Sequence, residues 1–321
     1  MNAEKINLSS IAKYFSDEGE AYKLIERIRW PHGPICPHCG VVDHAYHLKN
    51  QKTRSGKTSQ RRLWKCADCR KQFTVTVGTI FEDSHIPLSK WLLGMFMLST
   101  GKNGVSAHEL HRSLDITYKA AWFMAHRLRH AMERTGDEPL MTGVVGSDET
   151  FIGGHLKNMP AAKRRATDWR ENKTAVVTLV SKSGEARSQA VERIDGSTLG
   201  LTLAKNGDQS ATLVTDELTT YKMVSPLFES HEVVNHAQDE YVNERGHTTN
   251  GVESYFSQLK RSIDGTHHHV SRRHLPRYLA EFDHRYNARQ ITDGERIAQT
   301  IRQTAGKRLT YREPTRKPEE V

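Results

Sequence analysis

Apolar positions fall in short groups along this chain, and their spacing changes from one region to the next. The first thirty residues, MNAEKINLSSIAKYFSDEGEAYKLIERIRW, alternate charged and apolar positions without a long apolar run. RKQFTVTVGT, from Arg70, alternates with a period of two, the pattern of a half-buried strand. IPLSKWLLGMFMLST then predicts a buried helix beginning near Pro87, which GKNG ends. In SAHELHRSL, Ser106 followed three residues later by Glu109 predicts a capped helix start. After the short turn DIT, YKAAWFMAHRLRHAM sets Ala121, Ala125, Leu128 and Met132 on one stripe and shows Lys119, Arg127 and Arg129 to solvent. Two helices joined by so short a turn predict either a helix-turn-helix, with the second helix as recognition helix, or ordinary helix packing.

From Glu138 the pattern turns to strands. EPLMTGVVGSDETFIGG is an apolar run broken abruptly by Asp148 and Glu149. KTAVVTLVSKSGEARSQAVERI predicts a hairpin turning at Ser-Lys-Ser-Gly, and GSTLGLTLAKN a helix. ATLVT is a short strand ending at Asp216, and HEVVNH another strand. The stretch HTTNGVESYFSQLKRSIDGTHHH predicts a helix carrying Glu253 and, close to two turns on, Lys260 on the same face. In SRRHLPRYLAEFDHRYNAR, Leu275, Leu279, Phe282 and Tyr286 form an apolar stripe at helical spacing. The expected organisation is multidomain α+β. An N-terminal helix and ribbon occupy 1–80, a helical segment 81–136, an α/β domain 137–300 and a basic tail 301–321.

Composition and charge narrow the class. The longest apolar run, WLLGMFML, is too short to span a bilayer, and no secretory pattern opens the chain, so a cytoplasmic protein without a membrane partner is expected. The net charge of +9 and pI near 9.3 favour a polyanionic partner. Basic residues cluster in KNQKTRSGKTSQRR, in KNMPAAKRRATDWRENK, and at Arg272, Arg273, Arg277 and Arg285. Each cluster reads as a surface for phosphates or as a solvated face.

All four cysteines fall in two pairs, Cys36 and Cys39 in CPHC and Cys66 and Cys69 in CADC. Thiolates two residues apart on a tight turn face one ion, and two such turns supply the four ligands of a structural zinc. The strand-like run after the second pair completes the pattern of a zinc ribbon. A disulfide framework does not suit a cytosolic chain, and redox chemistry needs a single pair. His38, His44 and His47 stand nearby as surface histidines or as substitutes for one cysteine.

Asp148, Asp216 and Glu253 sit on two strands and a helix. Carboxylates gathered at one spot repel each other unless a divalent cation, Mg²⁺ or Mn²⁺, binds them. Two such ions suit phosphodiester displacement, with Lys260 holding a phosphate beside them. Glu149 and Glu217 are rival ligands, set on the opposite face by strand alternation. Asn250 shares a face with Glu253 and is a further ligand candidate.

DETFIGG, TDELTTY and above all NGVESYFSQLKRSIDGTHHHVSRRHLPRYLAEFDHRYNAR resemble the zinc-ribbon insertion-sequence transposases of bacteria, the ISXO2-like group related to the eukaryotic Merlin elements. The resemblance runs from WPHGPICPHCG to GKRLTYRE. It implies an RNase H-like catalytic domain whose triad is Asp148, Asp216 and Glu253, with Lys260 as the associated lysine. It further implies cleavage at the element's ends and strand transfer into target DNA. The partners would be DNA and further copies of the chain, in the cytoplasm on the nucleoid. Lys119, Arg127, Arg261, Arg272 and Arg273 are the candidate DNA contacts. Two other functions fit part of the pattern: a zinc-ribbon regulator without catalysis, and an RNase H-type nuclease that hydrolyses without strand transfer.

Overall fold

A computed structural model of the chain describes residues 14–316, except 15, 51, 53–55, 57, 60, 155–158, 167–172, 236–241 and 244. The elements begin with α1 (Glu18–Arg29), β1 (Ala45–His47), β2 (Trp64–Cys66), β3 (Gln72–Phe73), α2 (Leu88–Thr100), α3 (Ala107–Leu114) and α4 (Tyr118–Met132). There follow β4 (Val144–Gly153), α5 (Ala161–Ala166), β5 (Lys173–Ser181), β6 (Ala186–Val191), α6 (Gly196–Asn206), β7 (Thr212–Thr215) and α7 (Thr220–Val224). β8 (Ser230–Val233), α8 (Asn250–Ser262), α9 (Leu275–Asn287), α10 (Asp293–Gln303) and α11 (Arg312–Thr315) complete the order. They gather into two units. One holds residues up to 101, 105–132 and from 290 on; the other holds 102–104 and 133–289.

In the first unit α1 starts at Asp17, whose carboxylate accepts the Glu20 N–H at 3.0 Å. Acids in its first turn and Arg27 and Arg29 in its last complement the helix dipole. The ribbon strands pair antiparallel in the order β1-β2-β3. The alternating run after Cys69 leaves the sheet at Phe73, earlier than its pattern predicts. Phe73, Thr74 and Val75 are all buried, which breaks the in-out alternation a strand needs. Ser106 accepts the Glu109 N–H at 3.1 Å and starts α3 as expected. The predicted stripe of α4 is buried from Ala121 to Met132.

Ribbon and helices share one core. Trp30, Cys36 and Phe73 belong to the same apolar cluster as Trp91, Met95 and Leu128. That cluster also takes in Ile297 and Ile301 of α10, and the Ser99 and Thr300 hydroxyls meet at 3.3 Å. A boundary at 80 therefore has no counterpart in the packing, and α10, most of which falls in the expected 137–300 domain, groups with the first unit. The segment expected as a basic tail packs on this unit: Leu309 is buried, and its carbonyl accepts from Arg127.

The second unit is built on a five-stranded sheet in the order β6-β5-β4-β7-β8. β4, β5 and β6 are antiparallel neighbours, whereas β7 and β8 run parallel to β4. Helices cover both faces. Val176 and Val180 of β5 pack with Val252, Phe256 and Leu259 of α8 and with the α9 stripe; Val177 and Leu179 pack with Leu199 and Leu203 of α6. Burial on both faces explains why β5 is a continuous apolar run rather than an alternating one. No helix among the described residues is long and apolar enough to cross a membrane.

Candidate active site and zinc centre

The parallel register of β4 and β7 pairs Val144 with Thr212, Val145 with Leu213 and Gly146 with Val214. The same offset carries Asp148 level with Asp216, so the sequence spacing of these two acids is the strand register itself. Asp148 accepts the Glu149 N–H at 2.7 Å, and Asp216, just beyond β7, accepts the Leu218 N–H at 3.1 Å. Carboxylate oxygens of Asp148, Glu149 and Asp216 lie within 4.8 Å of one another. Glu149 does alternate to the other face, where its Oε2 accepts from the Tyr221 hydroxyl at 3.0 Å, and Tyr221 in turn meets Ser147 at 3.3 Å. Its carboxylate nevertheless reaches the acidic group, which the expected separation of faces did not allow for. Burial, together with the charges of Asp148 and Asp216, pushes the Glu149 carboxyl up to about 7.

Glu253 sits exposed in the first turn of α8, accepting from the Thr249 hydroxyl at 3.2 Å. It is not a member of the group of three acids. α8 lies on the face of β4 to which Asp148 alternates. Its Val252 packs so closely on Gly146 that a Cβ there would stand 3.2 Å from a Val252 methyl. Asn250 is exposed at the start of the helix, its N–H donating to the Thr248 hydroxyl. Glu217 is exposed beside Asp216. Lys260, two turns along, lines a cavity of about 210 Å³ with Phe151, Lys173, Asp264 and His269. Of the three histidines after α8, His267 meets the Tyr278 ring at 4.8 Å, His268 Nδ1 lies 2.8 Å from the Asp264 carbonyl, and His269 is exposed on the Lys260 cavity.

Beneath α8 is a buried network that sequence reasoning missed. The Tyr255 hydroxyl donates to Asp283 at 2.5 Å, and the Ser188 hydroxyl and N–H donate to the same carboxylate at 2.5 and 2.8 Å. It joins α8, α9 and β6. Burial pushes the Asp283 carboxyl up to about 6 despite these donors. An acid next to Phe282 inside an apolar helical stripe was the available signal.

The cysteines converge as their spacing predicts. Cys36 and Cys69 sulfurs are 3.6 Å apart, and those of Cys39 and Cys66 3.7 Å, with all four within 4.8 Å of one another. Sulfurs at about 2.3 Å from one tetrahedral zinc stand about 3.8 Å apart. The residue after each pair, Gly40 or Arg70, takes positive φ, closing the two knuckles alike. The nearby histidines are otherwise engaged: His44 with Asp68 at 2.5 Å, His38 facing the Gln72 carbonyl, and His47 against the Trp64 ring.

The basic candidates divide. Lys119 is exposed, its ammonium 4.6 Å from the Tyr311 ring centre. Arg261 is exposed and folds back onto Ser257, and Arg272 and Arg273 are exposed. Arg127, expected on the solvent face of α4, is buried, as is Arg129. Arg127 donates to the carbonyls of Leu309, Ile80 and Glu82, so internal hydrogen bonding replaces the expected DNA contact. Arg285 is likewise buried, paired with Glu281 at 3.2 Å. Much of the basic insert between the knuckles, and of the basic loop after β4, lies outside the described residues.

The model of the ISXO2-like transposase domain matches residues 140–287, and that of the transposase zinc-ribbon domain residues 16–72. The chain thus carries an ISXO2-like transposase domain and a transposase zinc-ribbon domain. An uncharacterised protein in the transposable element ISH50 of Halobacterium salinarum is 29% identical over 308 residues, covering 91% of this chain and 98% of that protein. The transposase domain so defined falls within the second unit, and the zinc-ribbon match takes in α1 as well as the knuckles. The four-cysteine cluster of this transposase, within its zinc-ribbon domain, supports Zn²⁺ as its metal.

Proposed function

We propose that this transposase binds the ends of its element and cuts and joins DNA at the acidic site of the second unit. The observation that carries the reading is the level placement of Asp148 and Asp216 by the β4–β7 register, with α8, the helix that carries Glu253, packed on the Asp148 face. The strand order, with its central β4 flanked by one antiparallel and one parallel neighbour, supports an RNase H-like assignment of the domain. Asp148, Asp216 and Glu253 act as the ligand set. The hard carboxylate oxygens gathered within 4.8 Å of one another at Asp148, Glu149 and Asp216 suit Mg²⁺ or Mn²⁺. When bound, such ions activate the attacking oxygen and stabilise the leaving one. Lys260, exposed two turns from Glu253, holds a neighbouring phosphate, and Arg261, Arg272, Arg273 and Lys119 bind the backbone by charge. The Tyr255–Asp283–Ser188 network keeps α8, and so Glu253, in place over β4.

Cleavage of labelled element-end DNA beside a gel shift tests this. Asp148→Ala, Asp216→Ala and Glu253→Ala should each lose cleavage and joining by orders of magnitude while binding DNA normally. A Glu253→Ala protein that cuts normally would remove Glu253 from the ligand set and turn attention to Glu149, already within the acidic group. A protein that nicks but never joins would be a nuclease of the same chemistry.

A further inference from the structure

A half-buried arginine in the first unit has no acid opposite it among the described residues. Arg29 ends α1 and lines a cavity of about 270 Å³, walled also by Trp30, Ile35, Pro37, Thr74 and Arg302. Its Nη1 donates to the Val75 carbonyl. Its Nε is shielded from solvent and has no hydrogen-bond partner among the described residues. Glu26, one turn back, is turned elsewhere, accepting from Arg62 at 2.7 Å and from the Trp64 indole at 2.8 Å. Among the described residues no carboxylate lines the cavity, and burial lowers the Arg29 pKa, to about 10. A half-buried guanidinium whose shielded Nε lacks an acceptor is costly, so an anion entering here restores what burial removed. A second guanidinium, from Arg302 in the last turn of α10, is exposed on the same cavity. The rest of the wall is largely apolar and includes the Trp30 ring. Two fork-shaped cations beside an apolar surface match a phosphate ester carried on a sugar. Ile35 and Pro37 flank Cys36, so this wall is part of the first zinc knuckle.

We propose that this cavity seats one backbone phosphate of bound DNA and thereby sets the register of the ribbon on its site. The proposal rests on the DNA-binding reading above. A phosphate seat positions the protein without reading bases, so its loss weakens binding to all sequences alike.

The zinc-loaded full chain is titrated with element-end duplex over a range of salt. Arg302→Gln changes a surface residue; it should weaken binding about tenfold at physiological salt and flatten the slope of log K against log salt by about 0.9. Arg29→Lys keeps the charge but loses the fork, and should weaken binding as well. Duplexes with single methylphosphonates then locate the seat. Wild type should lose affinity at one position where Arg302→Gln loses nothing further. An unchanged affinity and slope in Arg302→Gln, with wild type binding DNA, would overturn the seat. Competition by inorganic phosphate beyond a matched-salt control, without a position-specific methylphosphonate effect, would assign the cavity to a free anion and overturn the DNA assignment. A wild-type chain that binds no DNA at any salt removes the underlying reading, and the proposal with it.

Discussion

Arg127→Met separates a recognition helix from an internal one. The guanidinium of Arg127 donates from Nε to the Leu309 carbonyl at 3.1 Å, and from Nη1 to the Ile80 and Glu82 carbonyls at 2.9 Å each. It lies over the Phe123 ring at 4.5 Å, and burial is the main cause of its lowered pKa. Methionine keeps the length of the stem and removes every donor. Each bond from a charged donor contributes about 1.5–3 kcal/mol. Relief of the buried charge offsets part of the sum, so the net cost is expected at roughly 3–5 kcal/mol. Arg127→Lys should fall between, since one ammonium does not reproduce the planar fork that spans these carbonyls. The assay is urea unfolding of the zinc-loaded chain by tryptophan fluorescence, with DNA binding measured where all variants are folded. Binding should then match wild type. A stability loss under about 1 kcal/mol combined with lost DNA affinity would refute the reasoning and return Arg127 to the DNA-facing surface.

Two further outcomes follow from the buried chemistry. One zinc per chain should copurify in the absence of chelators, and Cys36→Ser should lower the midpoint of first-unit unfolding, because Cys36 lies in the same core as Trp91 and Leu128; a metal analysis without zinc would end that reading. The Asp283 carboxyl, held up to about 6 against an ordinary 3.8, keeps its proton longer in the folded chain than in the unfolded one. Its contribution to stability is therefore full below the unfolded value and is lost as pH rises through about 6, a change of about 3 kcal/mol that Asp283→Asn lacks. Stability of wild type minus that of the variant should fall by this amount between about pH 4 and 7, and a flat difference would show an unshifted carboxyl.

The parts of this chain legible in its sequence are those decided by local spacing. Paired cysteines two residues apart, the α4 stripe and the apolar run of β5 each specify their own surroundings. Asp148 and Asp216 were legible because each ends or interrupts a strand abruptly. Arg127 and Arg285 were not. A charged residue in a helical pattern is assigned to solvent by default, and their acceptors are carbonyls of distant segments that no periodicity reveals. Glu149 failed in a different way. Alternation assigned its face correctly, but its carboxylate still comes within reach of Asp148 and Asp216. The boundary at 300 failed because α10 carries the capping box and amphipathic pattern of any surface helix. Nothing in those residues says which core Ile297 and Ile301 will enter.

The return of the chain to its first unit at Gln290 also orders events on the ribosome. Ribbon and helices emerge first, but their core lacks Ile297 and Ile301, and Arg127 lacks the Leu309 carbonyl, until the whole transposase domain has been translated. At about 5–20 residues per second, that interval is roughly ten to thirty seconds. Through it the nascent first unit carries an open apolar face and an under-bonded buried cation, and by its end the later-made domain has every strand and helix of its own sheet. The unit whose residues are made first is thus the last to close.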